Sequence, residues 1–295
     1  MDVTKIGAID IGSNAIRLLI TNVWETEKGP IFKKNVLYRV PVRLGKDAFD
    51  DGFISVDTQK KLKHTIIAFK NLMAANDVTK YYGCATSAMR EAVNGMELME
   101  SINDEIRIKI NIISGSKEAE IIYSTQISNE IDPEKKYLYV DVGGGSTEIT
   151  LISNKEIQDS ASYKIGTVRL LLDKVKEESW TEMENWLNDL KDKIDDDVSL
   201  IGSGGNITRL FKMSLKAKGE PLTKSEIRQH YNYINQFSVV DRIRLLDLKP
   251  DRADVIIPAA KIFLFILDKT KATNVFVPKI GLADGITKLL YADKL

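Results

Sequence analysis

Two segments of this chain end an apolar run in aspartate and follow it with glycine and polar residues: Asp10, Gly12, Ser13 and Asn14 in the first, and Asp141, Gly143, Gly144, Gly145, Ser146 and Thr147 in the second. Glycine where a strand turns lets the backbone approach a ligand closely, and successive exposed amides form an anion-binding nest. The hydroxyls of Ser13, Ser146 and Thr147 and the amide of Asn14 add donors for phosphate oxygens, while the two aspartates suit a hydrated magnesium ion, Mg2+. A third glycine segment, with Gly202, Gly204 and Gly205, precedes a helix expected from about Ile207 and is a further loop available to a nucleotide. One glycine-rich turn is usually only a turn. Two that match, with Asp10 aligned on Asp141 and Gly12 on Gly143, plus a third, point to phosphate binding.

Charged side chains near these loops complete a candidate site. Arg90 follows the turn Ala85 to Met89, and its planar fork suits bidentate contact with a terminal phosphate; from spacing alone a surface ion pair is an equal reading. Glu118 falls in the first turn of an expected helix, where it either caps the helix or orients and deprotonates a water molecule. Glu148 follows the second loop and is either a metal or water partner or an ordinary strand-surface residue. His64 and His230 sit apart in amphipathic segments and support no phosphohistidine chemistry, and the basic clusters at Lys216 and Lys218 and at Arg242, Arg244, Lys249 and Arg252 read as solvated helix faces, with the lining of a channel for a long polyanion as the lesser alternative.

The elements that must position these residues are legible as hydrophobic periods. Residues 5–24 read as a β-hairpin around the first loop, residues 137–153 repeat that pattern around the second, and Val56 to Ala75 has helical spacing. A strand is expected over Lys80 to Cys84, a helix over Ala88 to Ser101, and a β-rich run over Ile106 to Ile113. A helix over Lys117 to Ser128 follows, with Ser116 as its cap. The second half otherwise reads as helical, at Glu182 to Ile194 and Pro258 to Leu267, before a final strand Asn274 to Val277. The division predicted is two α/β domains, 1–121 and 122–295.

The bulk numbers bound the function classes. Lys plus Arg and Asp plus Glu are equal at 42 each, so a polyanion must be held by local groups, and non-specific nucleic-acid binding is disfavoured. Cys84 is the single cysteine of 295 residues, which excludes an intrachain disulfide and fits a cytoplasmic setting. The longest apolar run, Ile256 to Leu267, is broken by Pro258 and Lys261, so neither a membrane span nor a signal peptide is expected.

Together the motifs resemble the Ppx/GppA phosphatase family, a branch of the actin, Hsp70 and sugar-kinase superfamily. The resemblance rests on AIDIGSNAIRLLI at 8–20, ATSAMREAVN at 85–94, IISGSKEAEIIY at 112–123, VDVGGGSTEITLI at 140–152, and the GSGGN, RAD and GLADG segments. It implies two ribonuclease-H-like domains with an interdomain cleft, and Mg2+-assisted removal of a terminal phosphate from inorganic polyphosphate or guanosine pentaphosphate. By the same resemblance Glu118 is the general base; Gly12, Ser13, Asn14, Arg90 and Gly143 to Thr147 contact phosphate; and Asp141 and Glu148 are metal partners. Asp10 supports the metal or the loop. The sequence departs from the family pattern at Lys117, at Asn206, and in stopping at Leu295 without the C-terminal HD-type domain of longer relatives. A non-catalytic alarmone or phosphate sensor is the alternative, and a kinase of the same superfamily a third. A homodimer is compatible with the resemblance.

Overall fold

The computed structural model describes residues 3–125, 132, 134–154, 156–190, 194, 198–278 and 280–295. The chain forms two compact units, Met1–Gln126 with Ile280–Leu295, and Ile127–Lys279. In the first, β1 (Val3–Ile11), β2 (Ile16–Trp24) and β3 (Ile31–Val40) form an antiparallel meander, followed by α1 (Leu44–Asp50) and α2 (Val56–Ala75). Then come β4 (Lys80–Ala85), α3 (Ser87–Glu91), α4 (Gly95–Ile106), β5 (Ile110–Ile112) and α5 (Gly115–Tyr123), giving a sheet of order β3-β2-β1-β4-β5 in which β1, β4 and β5 run parallel. Strands β1 and β2 are apolar on both faces, as a sheet covered on both sides requires; Ile6, Ile9, Leu18 and Ile20 are wholly buried.

The second unit repeats the plan. It contains β6 (Tyr137–Val142), β7 (Thr147–Ser153), β8 (Glu156–Tyr163), α6 (Thr167–Leu171), α7 (Glu177–Asp189), β9 (Ser199–Ser203), α8 (Gly205–Met213) and β10 (Leu222–Thr223). After these come α9 (Lys224–Asn235), α10 (Val239–Arg244), α11 (Pro250–Ala253), α12 (Ile256–Thr270) and β11 (Asn274–Phe276). Its sheet order, β10-β11-β9-β6-β7-β8, is the first sheet's order with one strand added, and both have the ribonuclease-H-like arrangement of an antiparallel meander continued by parallel strands. The correspondence extends to a register shift: it falls between Ile20 and Thr21 in one meander and between Leu151 and Ile152 in the other, equivalent positions when Gly12 is aligned on Gly143. The core of this unit gathers Leu138 and Val140 of β6, Met183 and Leu187 of α7, and Phe263 and Ile266 of α12.

Several expectations are corrected. The division predicted at residue 121 gives the whole remainder to the second domain, whereas the first unit takes back the C-terminal helix α13 (Leu282–Tyr291). That helix buries Leu290 against Ile6 and Val23, stacks Tyr291 edge-on to Phe32, and crosses α5 where Gly285 leaves no room for a side chain over the Ile121 carbonyl. The helix expected over Ala88 to Ser101 is two, because Ala92 is extended and Gly95 lies against the Met89 carbonyl. The run Ile106 to Ile113 yields only the short β5, and α7 starts five residues earlier than expected, at Glu177. The cap of α5 is Ser114, whose hydroxyl accepts from the Lys117 amide at 3.1 Å, and not Ser116; the expected residues of this helix from 126 onward lie outside the described residues, as do 191–193 of the Glu182 to Ile194 expectation. Among the described residues no helix is long and apolar enough to cross a membrane.

Candidate functional site

In the first unit the β1–β2 turn is closed by the Gly12 amide donating to the Ala15 carbonyl at 3.3 Å, which leaves Ser13 and Asn14 at the tip. The turn is held from two sides. The Gly45 amide donates to Ser13 O at 2.7 Å and the Arg43 amide to Asn14 O at 3.1 Å, both from the start of α1. From the end of β4, the Thr86 amide donates to Ile11 O at 3.1 Å, and the buried hydroxyls of Ser13 and Ser87 lie 2.9 Å apart. These groups stand at the carboxyl ends of parallel strands, where open α/β sheets place their ligands.

Arg90 and Glu118 are joined through one short segment. The Arg90 guanidinium donates to the Ile113 carbonyl at 2.7 Å, and Ile113 directly precedes the cap of α5, the helix whose first turn carries Glu118. Glu118 is buried at 8% exposure, while its neighbour Lys117 turns outward to pair with Glu120 at 2.9 Å. The Lys117 departure therefore spends its charge on Glu120. Cys84, opposite Asp10 in the β1–β4 register, reports the convergence: burial pushes its thiol well above the usual range, and the carboxylates of Asp10 and Glu118 add to that push.

The second unit builds its turn the same way, the Gly143 amide donating to the Ser146 carbonyl at 3.0 Å. Asp141 faces Glu148 directly across the β6–β7 pair, and their carboxylate oxygens approach within 4.8 Å. Glu148 is 2% exposed and accepts from the Ser162 hydroxyl at 2.8 Å. Two carboxylates held this close, one of them buried, form an all-oxygen donor set that suits a hard divalent ion. The first unit differs at the equivalent position: opposite Asp10 stands Arg17, and the two form an ion pair at 2.5 Å. Asp10 is thus engaged by a side chain of its own sheet.

The remaining expected residues divide. Gly204, at φ 108°, brings the third loop within 3.0 Å of the Val142 carbonyl, measured from the place a Cβ would occupy, and beside the Asp141 carboxylate. The carbonyl of Gly205, at the start of α8, is held by Arg252 at 3.0 Å. Gly202 lies inside β9, where a Cβ would press on Val275 and Phe263, so packing explains it. Thr147 is fully buried and donates its hydroxyl to the Ile165 carbonyl, which makes it a brace of the loop and not a free phosphate donor. Sequence reasoning missed Arg17, Ser87 and Ser162; a charged residue in the apolar run of β2 was the one visible signal, for Arg17.

The profile of the Ppx/GppA phosphatase family matches residues 36–290. The chain belongs to that family. It is 30% identical over 287 residues to the bifunctional 3-dehydroquinate synthase/phosphatase of Fusobacterium nucleatum, a match covering 88% of this chain and 43% of that protein. It is 30% identical to exopolyphosphatase 2 of Mycobacterium tuberculosis, over 58% of this chain and 54% of the other. The chain thus spans about half the length of these curated relatives. The crystal structure of an exopolyphosphatase from Cytophaga hutchinsonii superposes with a TM-score of 0.82 at 24% identity, covering 98% of each chain, a likeness of fold.

Proposed function

We propose that this chain is a phosphohydrolase that transfers the terminal phosphate of inorganic polyphosphate or of a guanosine polyphosphate to water, assisted by Mg2+ at Asp141 and Glu148. The observation that carries the reading is the opposed acidic pair Asp141 and Glu148 flanking a glycine loop, in a chain whose first unit repeats the loop with an arginine in place of the second acid. Membership of a phosphatase family supports the reaction class. The ion, when bound, offsets negative charge on the phosphate oxygens.

The chain's own groups take the following roles. Amides of Gly144, Gly145 and Ser146, and on the first unit those of Ser13 and Asn14, donate to phosphate oxygens on which charge is spread in the transition state. Arg90, oriented by the Ile113 carbonyl, offers its remaining guanidinium edge to a terminal phosphate. Glu118 takes the proton of the attacking water as the new P–O bond forms and the bridging P–O bond breaks, leaving orthophosphate and a chain shorter by one phosphate. Asp10 and Thr147 hold the loops in shape through Arg17 and the Ile165 carbonyl. A cytoplasmic setting goes with the reading, Cys84 being the single cysteine and buried.

Phosphate release from tripolyphosphate, medium-chain polyphosphate and guanosine pentaphosphate with Mg2+, compared between wild type and Glu118→Gln, tests this. The variant keeps the shape and removes the base, so a loss of roughly a hundredfold or more is expected. A wild type that releases nothing from any of the three yet binds guanosine tetraphosphate tightly would replace the hydrolase with a sensor.

A further inference from the structure

The carbonyls of the second glycine loop rest on the start of α6. The Thr167 amide donates to Gly143 O at 3.0 Å and the Val168 amide to Gly144 O at 2.8 Å, with the Arg169 amide also within 3.2 Å of Gly144 O. The Arg169 side chain then takes the next carbonyl, its Nε donating to Gly145 O at 3.0 Å. Three successive loop carbonyls are therefore drawn toward the start of α6. The approach is close: a Cβ on Gly166 would fall 2.4 Å from Gly144 O.

Peptide planarity converts this into a statement about the amides. In a trans peptide the C=O of one residue and the N–H of the next point in opposite directions. With the carbonyls of Gly143, Gly144 and Gly145 turned to α6, the amides of Gly144, Gly145 and Ser146 are aimed together at the opposite side, which is the geometry of an anion nest. The first two peptides are fixed by backbone donors, as Ser13 and Asn14 are by Gly45 and Arg43 in the first unit. Only the Gly145–Ser146 peptide depends on a side chain. That peptide follows a glycine and its carbonyl is held by the Arg169 side chain instead of a backbone amide, so without that hold it can flip and present a carbonyl to the phosphate in place of the Ser146 amide. Arg169 is itself 8% exposed, so its guanidinium is packed under the loop.

We infer that Arg169 is the positioning residue of the second phosphate loop, holding the Gly145 carbonyl away so that the Ser146 amide meets a phosphate oxygen of the substrate. The inference rests on the phosphohydrolase reading for the identity of the bound group. It touches no reacting atom and acts through the Gly145–Ser146 peptide.

The experiment compares wild type, Arg169→Met and Arg169→Lys in turnover of tripolyphosphate and, separately, in calorimetric binding of tripolyphosphate in the Glu118→Gln background. Arg169→Met is expected to lower affinity and kcat/KM by roughly 10- to 100-fold, the weight of one hydrogen bond to a charged group, with millimolar guanidinium ion restoring a good part. Arg169→Lys is expected to recover little, because an ammonium cannot place a donor at the Nε position. Unchanged affinity in Arg169→Met overturns the inference, as does a loss that guanidinium leaves untouched while thermal stability falls in parallel. If wild type binds but does not turn over tripolyphosphate and the Met variant binds it less tightly, the hydrolase reading fails and the role of Arg169 stands. Absence of binding in every form overturns both.

Discussion

Cys84 gives the residue scale its sharpest pH dependence. Its thiol is held protonated in the folded protein by burial first and by the Asp10 and Glu118 carboxylates second. A folded pKa raised above the unfolded value contributes stability that is fully present below the unfolded pKa, near 8.5, and is lost as pH rises beyond it. The expected outcome is that wild type loses stability relative to Cys84→Ala between about pH 8 and 10, by up to about 1.4 kcal/mol for each pH unit above the unfolded pKa. Urea unfolding of both proteins across that range checks it, and parallel pH profiles would refute it. At this scale the sequence revealed residue types but not commitments. Thr147 looked like a donor to phosphate and is spent on Ile165, and Asp10 looked like the twin of Asp141 until the register set Arg17 opposite one and Glu148 opposite the other. What a hydroxyl or carboxylate does depends on its cross-strand neighbour, and register is a property of the pair.

At the scale of elements, α13 is the piece most sensitive to a single atom. A Cβ on Gly285 would lie 1.9 Å from the Ile121 carbonyl oxygen of α5, a backbone atom with no rotamer to yield, and Ser124 Oγ donates to the Gly285 carbonyl at 3.3 Å in the same crossing. Gly285→Ala is expected to destabilise the first unit by about 1–3 kcal/mol, even though alanine is the better helix former, because the overlap forces the two helices apart. Thermal unfolding of the variant reads the cost directly. The same crossing explains why elements differed in legibility. Helix α2 was readable to the residue because Ser55 caps it and Leu62, Ile66, Phe69 and Met73 repeat along one face. Strand β3 was not, since it is an outer strand with Lys33, Lys34 and Leu37 facing solvent and no clean alternation. Helix α13 shows its apolar period in Leu282, Ile286 and Leu290, but not its unit: its partners Ile6, Val23 and Phe32 lie at the far end of the sequence, and local pattern does not say which core an apolar face joins.

For the whole molecule, the decisive feature is that the first unit is discontinuous, and the second is one uninterrupted stretch with its own core. Residues 127–279 expressed alone are expected to unfold cooperatively in urea. Residues 1–126 alone are expected to be far less stable than the same segment joined to 280–295 by a flexible linker, since Ile6 and Val23 lose their cover. Equal midpoints for those last two proteins would refute the assignment of α13 to the first unit's stability. The discontinuity also orders events on the ribosome. Chains emerge from the N-terminus and domains close as units, so the strands that carry Ser13 and the helix that carries Glu118 are made early, wait while the second unit is synthesised and folds, and receive their last helix only afterwards. A nascent chain released before residues 280–295 emerge has every residue of the proposed chemistry and an unfinished scaffold beneath Glu118, so competence for phosphate chemistry waits on a segment that itself carries none of it.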